Sequence, residues 1–474
     1  MTLFAKPTAC RPRRTLAGLA ALLLAGGTAH AQTPVAPTAP TVSGVPTATI
    51  APPAPATASP SAFPAVPPSG PWLLGDWGGL RTRLYQQGVD FQLGYTTESA
   101  YNVIGGTKSL VDYTHQVAVG ATMDLEKLIG LPSTVFQVTW TERAGRNLSE
   151  DAGLNTLMLV QEVYGRGQTV RLTRMWLEHQ AFGGYLALKV GRMSVGEDFA
   201  DFPCDFQNLT FCGSAPGNLV GGYIYNWPIS QWGGRAKLKL DGFGYVSAAA
   251  YDQNDQYLSY TDKVLPVWYP GSTGVLVPVE LAWLPKFDGG RLAGSYKVGA
   301  WYSSSSAKDV ALDVNGNLSA LTGQSALTHR GLYGGYLTFQ QQLTRNGTDN
   351  PNGGLWMFAN AVAGDNTTSV TDRQFAAGFT YTGPFSARPN DVFGFAAGTT
   401  HVNNRVTNMQ NIANAMGVPG VNDSITEFLF ELYYTVAVVP GVNLRPNVQY
   451  ISRPGGSNAT RDIMVLGLKT TMSF

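Results

Sequence analysis

The chain has 474 residues and a formal net charge of +1, and 13% of its residues are charged, about half the usual share in soluble domains. This balance gives no electrostatic basis for a nucleic-acid partner. The mean hydropathy of −0.04 excludes a bundle of membrane-spanning helices. Low charge with ordinary hydropathy indicates apolar and polar residues that alternate finely along the chain.

The first 31 residues have the three parts of a secretory signal peptide. Lys6, Arg11 and Arg14 lie in a basic start, residues 16–25 form a short apolar core, and residues 29–31 read Ala-His-Ala. The apolar run is too short to span a bilayer as a helix. The sequence therefore predicts export with cleavage after residue 31, with an anchored N-terminal helix as the alternative.

Residues 32–70 form a Pro/Ala/Thr/Ser-rich tract with eleven prolines and no charged residue. Such a composition cannot build a core, so we predict an extended, disordered periplasmic linker. A barrel domain is predicted from residue 71 to residue 474, and a short amphipathic helix precedes its first strand. In that helix Leu73, Trp77, Leu80 and Leu84 recur at helical spacing, after which Gly88 can end it.

From Val89 onward, apolar and polar residues alternate with a period of two, which predicts strands with one apolar face. In residues 462–474 the apolar face includes Leu466, Leu468 and Phe474, while Lys469 lies on the opposite face. A last strand of this kind is typical of a closed barrel in a lipid bilayer, where Lys469 would belong to the wall of a wet lumen.

The connections between these strands are of two kinds. Some are short, such as residues 288–290 and 440–441, and others are long and polar, such as 145–166, 194–225, 303–330 and 403–423. Alternating short and long connections are typical of outer-membrane barrels. At roughly 24 residues per strand with its connection, the 386 residues from Val89 to Phe474 predict an all-β, antiparallel transmembrane barrel of about sixteen strands, which encloses an aqueous channel.

The sequence offers no motif for covalent chemistry. It has no His pair at helical spacing for a metal, no nucleophile elbow and no phosphate-binding loop, so we predict neither an enzyme nor a metal or other cofactor. Cys204 and Cys212 remain after loss of the signal peptide, and in an exported chain they are expected to form a disulfide; two independent thiols are the alternative.

Charged residues on inward faces are the candidates for function, because they set the field and the hydrogen-bond sites that a permeating solute meets. The apolar phase slips between Leu172 and Met175, which indicates a β-bulge. Arginine and glutamate near Trp140 or Trp176 would suit a sugar, which needs hydrogen bonds and an aromatic surface for its C–H groups. The candidate constriction residues are Glu142, Arg143, Arg146, Arg174, Lys189 and Arg192. Generic solvation of the lumen is the alternative role for about half of these charges.

Residues 73–81, Leu-Leu-Gly-Asp-Trp-Gly-Gly-Leu-Arg, followed by Gly88-Val-Asp-Phe91, resemble the start of the barrel in carbohydrate-selective outer-membrane porins of the OprB family. Further blocks at residues 141–149, 190–194, 204–212, 432–434 and 446–450 resemble the family in the same order. The likeness covers residues 72–474, and the Pro-rich tract lies outside it. The resemblance implies a sixteen-stranded barrel through which glucose and related sugars diffuse passively.

We therefore expect a multi-pass barrel in the bacterial outer membrane, with small neutral sugars as solutes and outer-membrane lipid and lipopolysaccharide around it. A general porin, or one selective for organic acids, is the main alternative function. An outer-membrane enzyme and a non-channel structural barrel are further alternatives, although no convincing Ser/His pair supports the enzyme. The sequence does not specify the oligomeric state, the preferred sugar or the constricting loop, for which residues 204–212 are the first candidate.

Overall fold

The computed structural model describes residues 72–259, 268–347, 350–417 and 424–474. The predicted signal peptide and the predicted linker lie outside the described residues. Sixteen long antiparallel strands form one closed barrel, as predicted, and a two-residue strand pairs beside one of the turns. Among the described residues, no helix has the length and apolar character needed to cross a membrane.

The strands follow one another around the barrel in chain order. Their bounds are β1 Val89–Ile104, β2 Val111–Asp124, β3 Thr134–Gly145, β4 Val170–Ala181, β5 Leu186–Met193, β6 Gln231–Leu240, β7 Gly244–Gln253, β8 Gly274–Trp283, the short β9 Lys286–Phe287, β10 Leu292–Asp313, β11 Ala326–Gln342, β12 Gly354–Gly364, β13 Thr371–Thr382, β14 Val392–Val402, β15 Thr426–Val439, β16 Val442–Ser452 and β17 Ile463–Ser473.

Helices occur only before the barrel and in its connections, as far as the described residues show. The α-helices are α1 Leu80–Gln86, α2 Leu125–Ile129, α3 Leu148–Asp151, α4 Ala215–Leu219, α5 Ser319–Thr322 and α6 Asn404–Ala415. Single 3-10 turns are Trp77–Gly79, Glu162–Tyr164, Phe182–Gly184, Val195–Glu197, Leu209–Phe211, Asp255–Leu258 and Pro454–Gly456.

The barrel closes where the last strand pairs with the first. Strand β1 pairs with β2 on one side and with β17 on the other, in a register that sets Glu98 opposite Lys469. Closure leaves no open sheet edge. An open edge would be unfavourable in hydrocarbon, because its unpaired backbone groups would have no water to bond with.

Side chains along each strand alternate between lipid and lumen, as the period of two predicts. In β8, Val277, Val279 and Leu281 are exposed on the outer surface, whereas Glu280 between them is buried inside. In β17, Leu466 and Leu468 are exposed and Lys469 is buried. The sequence pattern thus correctly assigned Lys469 to the inner face.

The two ends of the barrel differ in the length of their connections. One end has short turns such as residues 440–441, and the other has the long segments 146–169, 194–230 and 403–425. Residues 303–330 are mostly strand rather than the predicted loop, because β10 continues to Asp313 and β11 begins at Ala326. The register between these two strands shifts twice, and this irregularity hides the alternation in the sequence.

The segment before β1 packs against the short-turn end. The predicted helix is a 3-10 turn followed by α1, and Asp76 accepts a hydrogen bond from the Thr82 amide at 2.8 Å. The buried guanidinium of Arg81 donates to the carbonyl oxygens of Phe474 and Phe91, both at 2.7 Å. Because Phe91 belongs to β1 and Phe474 follows β17, Arg81 bridges the closing seam.

Replacing Arg81 with Ala removes both hydrogen bonds across the seam. Since charged hydrogen bonds contribute about 1.5–3 kcal/mol each, we expect R81A to lower the free energy of unfolding by about 3–6 kcal/mol. Urea unfolding in detergent, followed by heat-modifiable gel mobility, measures this loss. The matched control is R83A, because Arg83 is on the same helix but is exposed; equal midpoints for the two variants would refute the bridging role.

Candidate functional site

Two long connections fold into the barrel instead of standing above it. Residues 146–169, called here the first inner loop, and residues 194–230, the second inner loop, bury Leu148, Leu154, Phe206 and Phe211 completely or almost so. Phe206 packs on the inward-facing Tyr433 of β15 with ring centres 4.8 Å apart. The two loops therefore place a packed core inside the lumen and leave a narrower passage.

Acidic side chains of the second inner loop pair with basic side chains of the wall. Asp198 lies 2.9 Å from Lys189 and 2.9 Å from Arg235. Three further pairs of the same kind are Glu197 with Arg174, Asp201 with Lys297 and Asp205 with Arg445. These pairs span strands from β4 to β16, so they hold the loop across the width of the barrel.

Carboxylates of the barrel wall also hold the second inner loop, by accepting hydrogen bonds from the backbone amides of the loop. Glu280 accepts a hydrogen bond from the Ala200 amide at 2.8 Å. Glu431 accepts from the amides of Gln207 and Asn208 at 2.8 and 2.9 Å. A buried carboxylate is costly unless it is hydrogen-bonded, and a loop amide inside the barrel equally needs an acceptor. Each contact therefore satisfies both groups.

The first inner loop is anchored at the closing seam. Lys469 lies 3.2 Å from Glu98 of β1 and 3.0 Å from Glu162 of the loop, and Arg143 lies 3.5 Å from Glu162. The Val163 amide donates to Glu98 at 3.0 Å. The pair of Glu98 and Lys469, which meets across the closing seam, therefore also holds the first inner loop in place.

The passage that the two loops leave is a cavity of about 1070 Å³. Its walls come from both inner loops and from strands on several sides of the barrel. Five basic and three acidic side chains line it, which gives a formal excess of two positive charges: Arg143, Arg166, Arg174, Lys189 and Lys469 against Glu162, Glu197 and Asp201.

Aromatic rings lie beside these charges. The guanidinium carbon of Arg174 is 4.8 Å from the ring centre of Trp227, and the Lys189 ammonium is 4.5 Å from that of Trp176. The indole N–H of Trp227 donates to the Gln116 side chain at 2.8 Å, and so does Arg143. The cavity thus combines fixed donors and acceptors with two indole surfaces.

Two loop carboxylates remain ionised because cations surround them. Burial would raise the pKa of Asp198, but Lys189 and Arg235 outweigh it and lower the pKa to about 2. Burial also opposes ionisation of Glu162, and Lys469 with Arg143 lowers the pKa of that carboxyl below its usual value. Both carboxylates therefore carry charge at neutral pH.

Of the predicted site residues, the structure brings Arg143, Arg174 and Lys189 together in the wall of this cavity. The expected β-bulge is present, because the register between β3 and β4 shifts at Thr173. Past that point Arg174 faces the lumen, opposite the inward-facing Thr139.

The other three predicted site residues lie elsewhere. Glu142 is one residue out of phase with Arg143, so it lies on the outer face, 3.3 Å from His115. Arg146 is exposed and pairs with Asp151 at 2.7 Å. Arg192 is out of phase with Lys189; it donates to the Ser230 carbonyl and lies over the Tyr257 ring. Trp140 is also on the outer face, whereas Trp176 lines the cavity.

Sequence reasoning missed several lining residues, above all Glu162, Arg166, Glu197 and Trp227. All four belong to the inner loops, where no periodic pattern indicates which side chains face the cavity. The only available signal was local composition, since all four charged residues of the second inner loop are acidic and lie within residues 197–205.

Cys204 and Cys212 form a disulfide, as expected, and both line the cavity. The segment between them includes Phe206 and Asn208, which contact β15 and β16 from inside the barrel. Among the described residues, the one close group of potential metal ligands is Glu162 with these two cysteines. Because a disulfide provides no thiolate, that group does not fit a metal ion.

A family model described as "Carbohydrate-selective porin, OprB family" matches residues 109–474. Porin B of Pseudomonas aeruginosa is 43% identical over 425 residues, covering 86% of this chain and 93% of the relative. The "Putative porin QuiX" of Acinetobacter baylyi is 34% identical over 423 residues, covering 85% and 93%.

Among solved structures, the high-pH structure of OprB from Pseudomonas putida is similar with a TM-score of 0.82 and 43% identity, covering 85% of this chain and 99% of that one. The low-pH structure of OprB from the same organism has a TM-score of 0.55 at 30% identity, covering 85% and 98%.

Neutralising Asp198 tests the anchoring of the second inner loop. The pKa of Asp198 is lower in the folded protein than its ordinary value, so its contribution to stability is present above about pH 4 and is lost as pH falls through about 2. We expect the wild type to unfold at a higher urea concentration than D198N at pH 6, and the difference to shrink towards pH 2. A difference that does not change with pH would contradict the ion-pair role.

Proposed function

The chain belongs to the carbohydrate-selective porins of the OprB family, and we propose that it lets small neutral sugars such as glucose diffuse passively across the bacterial outer membrane. The observation that carries this proposal is the cavity inside the closed barrel, in which paired charges lie beside indole rings. Transport of this kind runs down a concentration gradient and forms no covalent intermediate, so the protein acts as a channel and not as an enzyme.

The chemistry of the cavity suits an uncharged polyol. A sugar hydroxyl both donates and accepts a hydrogen bond, and the ion pair of Arg174 with Glu197 offers a donor and an acceptor side by side. The ring of Trp227, next to Arg174, can cover the C–H face of a pyranose. A sugar that enters can therefore exchange its bonds to water for bonds to the wall.

The outer surface of the barrel indicates what surrounds it. Apolar side chains such as Val279, Leu337 and Leu466 are exposed around the outside, where lipid of the outer membrane, including lipopolysaccharide, would cover them. In outer-membrane barrels the short turns face the periplasm. We further propose export by the cleaved signal peptide 1–31, with the linker 32–70 leading into the barrel domain 71–474.

One observation favours the alternative function of a porin for organic acids. The side chains that line the cavity have a formal excess of two positive charges, five basic against three acidic, which would attract a carboxylate. Against this, four of the five basic groups are themselves paired with carboxylates, so the local fields partly cancel: Arg143, Arg174, Lys189 and Lys469.

Replacing Arg143 or Arg174 with Ala should weaken the block of single-channel current by glucose. Loss of one hydrogen bond of about 1 kcal/mol corresponds to about fivefold weaker binding. The matched control is R146A, because Arg146 is exposed outside the cavity. Unaltered block in both cavity variants would refute the assignment of these arginines to the sugar path.

Liposome swelling separates the two candidate functions. At equal osmolarity, we expect glucose to enter proteoliposomes faster than gluconate, because a neutral solute does not compete with the carboxylates for their basic partners. Faster swelling with gluconate would favour the organic-acid porin, and equal rates for both solutes would favour a general porin.

A further inference from the structure

A second, smaller pocket opens in the lumen near the short-turn end. It has a volume of about 40 Å³, and Phe202 and Phe206 of the second inner loop and Trp356 and Phe358 of β12 form its aromatic walls. Trp356 is the third residue of β12, just after the connection from β11 at the same end of the barrel as residues 440–441, which places the pocket near that mouth.

The small pocket adjoins the main cavity. Phe202 and Pro203 of the second inner loop and Gln340 of β11 contribute to the walls of both. The small pocket therefore lies next to the space that a solute in the main cavity occupies.

The lining of the small pocket combines aromatic rings with the polar residues Asp205, Gln340, Asn352 and Thr380. Phe202 and Phe358 pack with ring centres 4.9 Å apart, and the Trp356 indole N–H donates to the Asn352 carbonyl at 3.1 Å. Asp205 also lines the pocket, and Arg445 donates to its Oδ1 at 3.3 Å, which holds the carboxylate in place. An aromatic wall with amide and carboxylate groups beside it is the combination that a sugar requires.

The size of the pocket limits what can occupy it. On this measure a cavity needs about 10–15 Å³ to hold one water molecule, so a pocket of about 40 Å³ holds a group of a few heavy atoms and not a whole pyranose ring. The exocyclic hydroxymethyl group of a hexopyranose fits this size, with a CH₂ for the aromatic rings and a hydroxyl for the polar lining residues.

We propose that the small pocket is a second sugar subsite that takes the hydroxymethyl group of a hexopyranose near the short-turn mouth. The proposal rests on the proposed function, since it needs sugars in the lumen. It predicts that the channel holds glucose longer than xylose, a pyranose of the same ring type that lacks the hydroxymethyl group.

Single-channel recordings in planar bilayers, with sugar on both sides, test the proposal on the full-length mature protein. In the wild type, the residence time from current-block noise should be longer for glucose than for xylose. In W356L we expect the glucose residence time to fall about fivefold, as for the loss of one aromatic contact, and that of xylose to stay within about twofold. W356F keeps a smaller aromatic wall and should lie between.

The matched control is W140L, because Trp140 is on the outer face of the barrel and its replacement should leave the residence times of both sugars unchanged. Equal residence times for glucose and xylose in the wild type would overturn the subsite, whether or not the variants fold. So would unaltered glucose residence in both folded Trp356 variants. If the wild type passed and bound no sugar at all, the proposed function itself would fail, and that result is distinguishable from either of these.

Discussion

Closure of the sheet between β1 and β17 is the constraint on which the rest of the structure depends. In hydrocarbon every backbone amide and carbonyl needs a partner inside the protein, and only a closed ladder provides one for each strand. At this seam the register sets Glu98 directly opposite Lys469, and both side chains are buried in the lumen. Glu162 joins the pair from the first inner loop. The contact that closes the barrel thus also positions the loop that narrows it.

A sixteen-stranded barrel is too wide for its own wall side chains to fill, so the inner loops determine the shape of the passage. Buried charges are unfavourable unless they are paired, and here the pairing is reciprocal. Loop carboxylates such as Asp198 meet cations of the wall, while wall carboxylates such as Glu431 meet loop amides. Moving either loop would leave unpaired charges on both sides. The passage is therefore built into the folded state and needs no solute to form it.

The sequence predicted those features that depend on a period of two, but it did not predict contacts between residues that are far apart in the chain. Strand faces, the closed barrel and the bulge near Thr173 all follow from local alternation. Glu142 and Arg192 show the limit of this reasoning, since a shift of one residue puts a side chain on the opposite face. Glu162 could not be predicted, because its partner Lys469 is 307 residues away and no local pattern relates the two.

The pairing of charges also explains how a wall with so many ionic groups can suit a neutral solute. An isolated cation in the lumen would hold an anion and its water strongly, but Arg174 already has Glu197, and Lys469 already has Glu162. Such a pair offers a solute hydrogen-bond donors and acceptors that lie close together. Its net electric field is weaker than that of an isolated charge. A sugar hydroxyl can use both at once, whereas a carboxylate can use only the donors. Because the pairs are held by the loops, their hydrogen-bonding groups are in place before a sugar arrives, which lowers the entropic cost of each transient contact.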